Sequence, residues 1–367
     1  MNNAAHLGQP VQPARSEREG PSMRPTGPRR GEAADCASGV GRILVRQLIG
    51  AELDRRCLLG PDGDYLWLDA ARTPACAALV TAAMATAAER ARLVQAARMS
   101  LAVRLPRQVA PGTVAYDHLP TSGLLVDGVL AAISGAAGTP AAAHVLALVG
   151  ASLAALHSCA TPARRGTHRG ADVAVQTMDA AALLRQTPPA DPPWATGLRL
   201  ILDRRPRLTE HATRAATLRT DTSTLVPVHG NASMAAVASS NDLTTAAGAA
   251  APPVLLGWLR SGWGHAAHDL GYLLGELLEL AADHGPTGDL RAVELGRAGL
   301  RGYLAHGGTR LPVRQLVDFV ALRVVDHIVK NVRSYGLDPV GVARLLDHAE
   351  NVIPLWGAAL HEEANDG

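Results

Sequence analysis

Two stretches decide the reading of this chain. They are VHGNASMAAV at Val228–Val237 and VLLGWLRSGWGHAAHDLGYL at Val254–Leu273. A β-branched run, Thr224–Val228, enters the first, so His229-Gly230-Asn231 falls on a loop that follows a strand. The second stretch has glycines at 257, 262 and 264 and then runs into a helix read at Leu270–Ala282. Their spacing and order carry more information than any single residue in them. No G-x-S-x-G elbow, Walker loop or C-x-x-C/H set occurs elsewhere.

Composition bounds the rest. The 367 residues suffice for two lobes with a sizeable core. The formal net charge is +2, so no bulk field points to nucleic acid or to a membrane surface. Of 35 basic residues only one, Lys330, is lysine, and alanine is abundant. That pairing marks a GC-rich genome, and the arginine surplus is read as compositional. Aromatics are 3%, so the core must be Ala, Leu and Val, burying little area per residue. The cysteines Cys36, Cys57, Cys76 and Cys159 form no C-x-x-C pair and have no histidine cluster beside them. Free thiols in a reducing cytoplasm are expected, with no structural zinc or disulfide framework. Residues 1–39 are read as a disordered tail, since the Pro/Gly/Arg/Ser-rich start lacks the apolar core of a signal peptide. Ala141–Leu156 is too short and too alanine-rich for a membrane span, so it is read as a buried helix.

Along the chain, Gly41–Leu53 fits either a helix or a strand. Pro61-Asp62-Gly63-Asp64 signals a turn, and Tyr65–Leu68 a short strand after it. Thr73–Arg98 reads as one helix, and Leu101–Pro106 and Gly112–Leu119 as two strands about a Pro-Gly turn. Pro120-Thr121-Ser122-Gly123 is read as a hinge. Helices are expected at Pro140–His157, Trp194–Leu202, Leu208–Leu218, Leu290–His306, Val313–Tyr335 and Pro339–Glu362, with a loop-rich insertion at Thr161–Asp191. No internal repeat is visible.

The two opening stretches resemble the catalytic segments of the bacterial aminoglycoside and choline kinase-like phosphotransferases, relatives of the protein kinases. There the first segment reads HGD-L-H-P-G-N and the second I-D-W-E-x-A-G-x-G-D-P-A-x-D-L. His229, Gly230, Trp258, Gly262, Gly264, Ala267, Asp269 and Leu270 stand where that pattern wants them. Upstream, GASLAALHS, ending at Ser158, resembles the helix that leads to the family's catalytic loop. The resemblance is firm over 145–275 and reaches 40–335. It implies an α+β, bilobal, protein-kinase-like fold. Residues 40–120 would be a small β-rich N-lobe with one helix, and 121–367 a helical C-lobe carrying the loop 228–271.

The same resemblance implies a site stripped of its reactive groups. The family's aspartate base is replaced by Asn231, whose amide can orient a hydroxyl but cannot take its proton. The two magnesium ligands are replaced by Ala236 and Gly257, although magnesium wants hard oxygen donors and at least one carboxylate. His265 stands at the aspartate of G-D-P. No lysine exists in the N-lobe to hold phosphates; Leu68 or Asp69 occupies its place, and Asp69 would repel phosphate. Glu89 is the candidate helix glutamate and Arg72 a displaced cation; with Trp258 they mark a candidate nucleotide or ligand cleft. Gly39-Val40-Gly41 makes a poor glycine-rich loop. His229 and Asp269 are left as supports of the catalytic loop. His265 and His268 sit at a helical metal spacing but lack a third ligand. Trp258 and Trp263 are read as packing, since no basic stripe interleaves with them.

Two functions follow as expectations. The first is a pseudokinase: a cytoplasmic, partner- or peptide-binding subunit, with no metal and no cofactor beyond weak metal-independent ATP binding. The resemblance implies a setting such as a bacterial modified-peptide pathway. The alternative is an active ATP-dependent phosphotransferase acting on a hydroxyl of a small molecule or peptide. It would use relocated carboxylates, Asp242, Asp221 or Glu210, for metal and Arg72 for phosphate.

Overall fold

The computed structural model describes residues 42–50, 52–85, 87–159, 180, 183–184, 193–218, 225–239 and 252–366. The expected tail 1–39, the Gly39–Gly41 stretch, Asp221, Asp242 and most of the Thr161–Asp191 insertion lie outside these residues.

Three strands open the described chain: β1 (Ile43–Ile49), β2 (Leu53–Leu59) and β3 (Tyr65–Ala71). The undecided Gly41–Leu53 segment therefore resolves into β1 and the start of β2. The Pro61–Asp64 turn joins β2 to β3, with Gly63 at φ 79°, a left-handed angle that favours glycine. Helices α1 (Pro74–Ala85) and α2 (Ala87–Ala97) lie on either side of residue 86, where the sequence suggested one helix. The short β4 (Ala102–Val103), then β5 (Arg107–Ala110) and β6 (Thr113–Leu119), follow. Five of these strands form an antiparallel sheet in the order β1-β2-β3-β6-β5.

Strand alternation sets the lobe's two faces. Cys57 pairs with Trp67, and Trp67 with Tyr116, and all three are fully buried. This row joins Val80 and Ala83 of α1 and, from the second half of the chain, Ala238, Val254 and Leu256. The core of the first lobe thus runs directly into the motif segments. On the opposite face sit Leu66, Leu68 and Ala115.

The rest is chiefly helical: α3 (Leu125–Ser134), α4 (Thr139–Ser158), α5 (Pro193–Leu202), α6 (Pro206–Leu218), α7 (Ala266–Ala281), α8 (Gly285–Ala305), α9 (Val313–Tyr335) and α10 (Pro339–Asp366). Helix α3 has no counterpart in the sequence reading. Two small sheets carry the motif stretches. In one, β7 (Val226–Val228) pairs with β10 (Gly262–Gly264). In the other, β9 (Val254–Leu255) pairs antiparallel with β8 (Val237–Ala238) and parallel with β4. A small β-rich lobe and a large helical lobe result, as the resemblance implied.

A chain poor in aromatics must bring its helices close to leave no voids. Helices α4 and α8 do so through glycine. A Cβ added at Gly150 would lie 2.0 Å from the Gly299 carbonyl oxygen, and one at Gly302 would lie 2.0 Å from that of Ala147. The two backbones touch, and α4 is held so that its last turn, with His157, reaches the motif loop. Among the described residues, α4 is the one helix long and apolar enough to cross a membrane, and it lies largely inside the core. Gly302→Val should cost at least about 2 kcal/mol in urea unfolding, because a helix must be pushed away; a loss below about 0.5 kcal/mol would contradict this account of the crossing.

Candidate functional site

The loop at His229–Met234 is suspended from one face of α7. Asp269, in the first turn, is fully buried and accepts the backbone N–H of His229 at 2.7 Å and of Gly230 at 2.8 Å. Seven residues on, Glu276 accepts the Met234 N–H at 2.7 Å and the Ser233 hydroxyl at 3.0 Å. Seven residues are nearly two helical turns, so both carboxylates point the same way. Sequence reading found Asp269 and missed Glu276, whose signal is that spacing.

Asp269 is fixed in turn by α4. His157 Nε2 donates to it at 3.1 Å, and His157 Nδ1 lies 3.0 Å from the Tyr303 hydroxyl of α8. Burial alone would raise the Asp269 carboxyl, but His157 and His268 outweigh it and hold it far below the usual carboxylate range. His229 Nε2 donates to the Leu256 carbonyl at 2.7 Å, so its Nδ1 is the acceptor for the Asn231 N–H at 3.3 Å. Burial lowers the His229 imidazole, which stays neutral as a brace. The Trp258 ring meets it edge-on at 4.5 Å, and the indole N–H donates to Leu255 at 3.3 Å. Trp258 is therefore occupied in packing.

The three altered positions converge. Gly257 has φ 81°, and a Cβ there would lie 2.9 Å from the Ala236 Cβ, 3.5 Å from His229 Cε1 and 3.8 Å from Asn231 Nδ2. Around that point the Gly257 Cβ would meet a methyl, an imidazole and an amide, and no carboxylate of the described residues is among these neighbours. Among the described residues no group of three His, Cys, Asp or Glu side chains is placed to hold a metal ion. Of the carboxylates considered as replacements, Glu210 is paired with Arg214 on α6. His265 caps α7 by accepting the Ala267 N–H at 3.2 Å, and His268 stacks on Tyr272 at 4.1 Å.

The opposite wall comes from the sheet. Asp69 on β3 is fully buried and accepts two bonds from Arg55 of β2, at 2.6 and 2.7 Å. Arg55 reaches further and donates to the Ala235 carbonyl at 2.5 Å. Burial would lower the Arg55 guanidinium, and Asp69 raises it above its ordinary value. The expectation that Asp69 would face and repel phosphate is thus corrected: its charge is spent on Arg55, a partner sequence reading did not find. Tyr116, beside them, has its phenol raised by burial and by Asp69; Arg55, the Gly257 backbone and Arg90 oppose the shift.

The other cleft candidates separate. Glu89 and Trp258 line one cavity between α2 and β7, together with Arg90, Val228 and Trp263. Its enclosed part, about 40 Å³, has room for a few waters. Arg72 is elsewhere, donating to the Gly50 carbonyl at 2.5 Å and to the Tyr335 hydroxyl at 3.3 Å on the exposed surface.

No family model matches the sequence, and no curated protein sequence does. Solved structures do match the architecture. Similar in fold is an amicoumacin kinase in complex with AMP-PNP, calcium and amicoumacin, with TM-score 0.50 and 14% identity, covering 83% of this chain and 87% of that one. The fold is that of the kinase-like phosphotransferases. An aminoglycoside phosphotransferase from Alicyclobacillus acidocaldarius aligns over 94% of this chain and 98% of its own, at TM-score 0.49 and 12% identity. A macrolide 2'-phosphotransferase from Brachybacterium faecium aligns over 86% and 96%, at TM-score 0.43 and 17% identity. Helix α7 packs against α8 and α9 inside the helical lobe, and the segment it suspends meets the sheet through the Arg55 bond to the Ala235 carbonyl.

Acid should unfold this loop in two stages. Unfolded histidine takes a proton near pH 6.5, whereas folded His229 resists it. Unfolded aspartate does so near pH 3.9, and folded Asp269 holds out far lower. In both ranges the unfolded chain binds more protons, so stability is full above about pH 7 and falls as pH drops, first through His229 and then through Asp269. Asp269→Asn should remove about 3 kcal/mol at pH 7 and flatten the acid limb below about pH 4 in urea titrations. A limb unchanged by the substitution would refute the assignment.

Proposed function

We propose that this kinase-like fold serves as a binding module that engages another protein or a peptide, without metal-dependent phosphoryl transfer. The observation that carries the reading is the convergence of Asn231, Ala236 and Gly257 on one point with no carboxylate among them. Phosphoryl transfer depends on positioned metal and charge more than on any covalent chemistry the protein performs. A second observation supports it. The buried Arg55–Asp69 pair, tied to the Ala235 carbonyl, spans the space between the sheet and the motif loop. Opening that space for a triphosphate would mean breaking a buried ion pair, at about 3–5 kcal/mol.

The second reading is an ATP-dependent phosphotransferase acting on a hydroxyl of a small molecule or peptide. The solved structures favour it: those reported above are named as kinases or phosphotransferases, one of them holding AMP-PNP and calcium. The intact suspension of the motif loop by Asp269 and Glu276 is also what such an enzyme needs. Its metal would have to come from carboxylates outside the converging positions.

Thermal unfolding with ATP, with and without magnesium, separates the two. The binding reading predicts a midpoint that magnesium does not move further. A magnesium-dependent rise of several degrees, with phosphate transfer to a hydroxyl acceptor, would establish the enzyme, since a ligand of the native state stabilises it by mass action.

A further inference from the structure

A cavity of about 330 Å³ lies in the helical lobe, where α7, α8, the start of α9 and the end of α10 meet. That is at the lower end of the range for small-molecule sites, about 300–1,000 Å³. Its inner wall is Leu270, Leu300 and Leu316, none more than 3% exposed, so the space reaches the core. The aromatic wall, Tyr303, is held by the turn after α8. The Gly308 N–H donates to the Tyr303 carbonyl at 3.0 Å, and a Cβ at Gly308 would lie 2.3 Å from the ring carbon Cε1. The space is therefore preformed, and left empty it forfeits the contacts that an apolar occupant would restore.

The polar end has one sign. Thr309 lies beside the Tyr303 hydroxyl, and Arg310 and His361 stand at the exposed rim. No aspartate or glutamate of the described residues lines the cavity. On α8, Arg297 and Arg301 both bond Glu363 of α10. Arg310 has no such partner among the described residues. A guanidinium beside an apolar space suits a molecule with an apolar body and a carboxylate at one end.

The cavity also borders the support of the motif loop. The Tyr303 hydroxyl is 3.0 Å from His157 Nδ1, and His157 Nε2 donates to Asp269 at 3.1 Å. Leu270 is the residue after Asp269. An occupant lying on Leu270 and Tyr303 thus touches the chain on both sides of the His157–Asp269 bond.

We propose that this cavity binds a small apolar carboxylate, with Arg310 taking the carboxylate, and that occupancy stiffens the motif loop through Tyr303 and His157. The site is independent of the chemistry at the cleft.

Calorimetry on the full chain with octanoate, and with octan-1-ol as its uncharged counterpart, tests this. Octanoate should bind one to one with a dissociation constant below about 1 mM, and octanol about tenfold more weakly. Arg310→Ala, at an exposed position, should weaken octanoate about tenfold and leave octanol unchanged. Ala364→Trp, at the half-buried mouth, should abolish both. At saturation the His229 and Gly230 amides should exchange about threefold more slowly relative to those of β2, and Tyr303→Phe should keep octanoate binding and lose that slowing. Absence of saturable octanoate binding overturns the proposal. So does binding that survives both Arg310→Ala and Ala364→Trp, since the ligand would then sit elsewhere. Equal binding of octanol, or loop exchange that does not change relative to β2, overturns it as well. If Tyr303→Phe fails to fold, the exchange of the unaltered protein with and without octanoate decides the link to the loop.

Discussion

One buried carboxylate, Asp269, organises the motif loop. It accepts the N–H groups of His229 and Gly230 and a bond from His157. An ionised carboxylate with three donors is worth its burial; an unpaired one would not be. Everything near the cleft depends on it. The α4–α8 glycine crossing puts His157 and Tyr303 within reach of it, and α7 carries it with Glu276 two turns further on. The loop is thus held in shape, with Ala236 and Asn231 brought close to the Gly257 α-carbon. At positions 231, 236 and 257 this frame carries an amide, a methyl group and a hydrogen.

The sheet adds a second constraint. Several ion pairs and hydrogen bonds tie this lobe to the rest of the chain, while Arg56 and Arg107 pair within the sheet. Arg46 bonds Asp127 on α3, Arg55 bonds Asp69 and the Ala235 carbonyl, Arg90 bonds Ser261, and Glu52 pairs with Arg260. Arginine suits this work better than lysine, since one planar fork can satisfy a carboxylate and reach a carbonyl at once. The arginine surplus that looked compositional therefore has structural consequences at the lobe boundary. The lone lysine, Lys330, is also internal, 2.5 Å from Asp326 on the same helix.

The second lobe was more readable in sequence than the first. Val313–Tyr335 emerged with its expected ends, and the motif loop folded where His229, Trp258 and Asp269 placed it, because a helical period and a fixed motif spacing are local signals. Strand β2 and helix α3 were missed. The charged Asp54-Arg55-Arg56 run in β2 hides a strand whose Arg55 is paid for by a distant Asp69, and α3 buries its face against elements far along the chain. Arg72 was misplaced for the same reason: a sequence shows a cation near the right strand but not the direction in which it points. Glu276 and Tyr116 act through contacts made only after folding, so neither stood out from its neighbours.

The central claim is that the convergence of positions 231, 236 and 257 cannot anchor a divalent ion beside a triphosphate. Manganese, a paramagnetic substitute for magnesium, tests it most directly. Titrating the protein into manganese–ATP while following water-proton relaxation should give no saturable enhancement beyond that of manganese–ATP alone. A saturable enhancement that disappears on chelation, and that Asn231→Ala weakens, would place the metal nucleotide at this point and contradict the account.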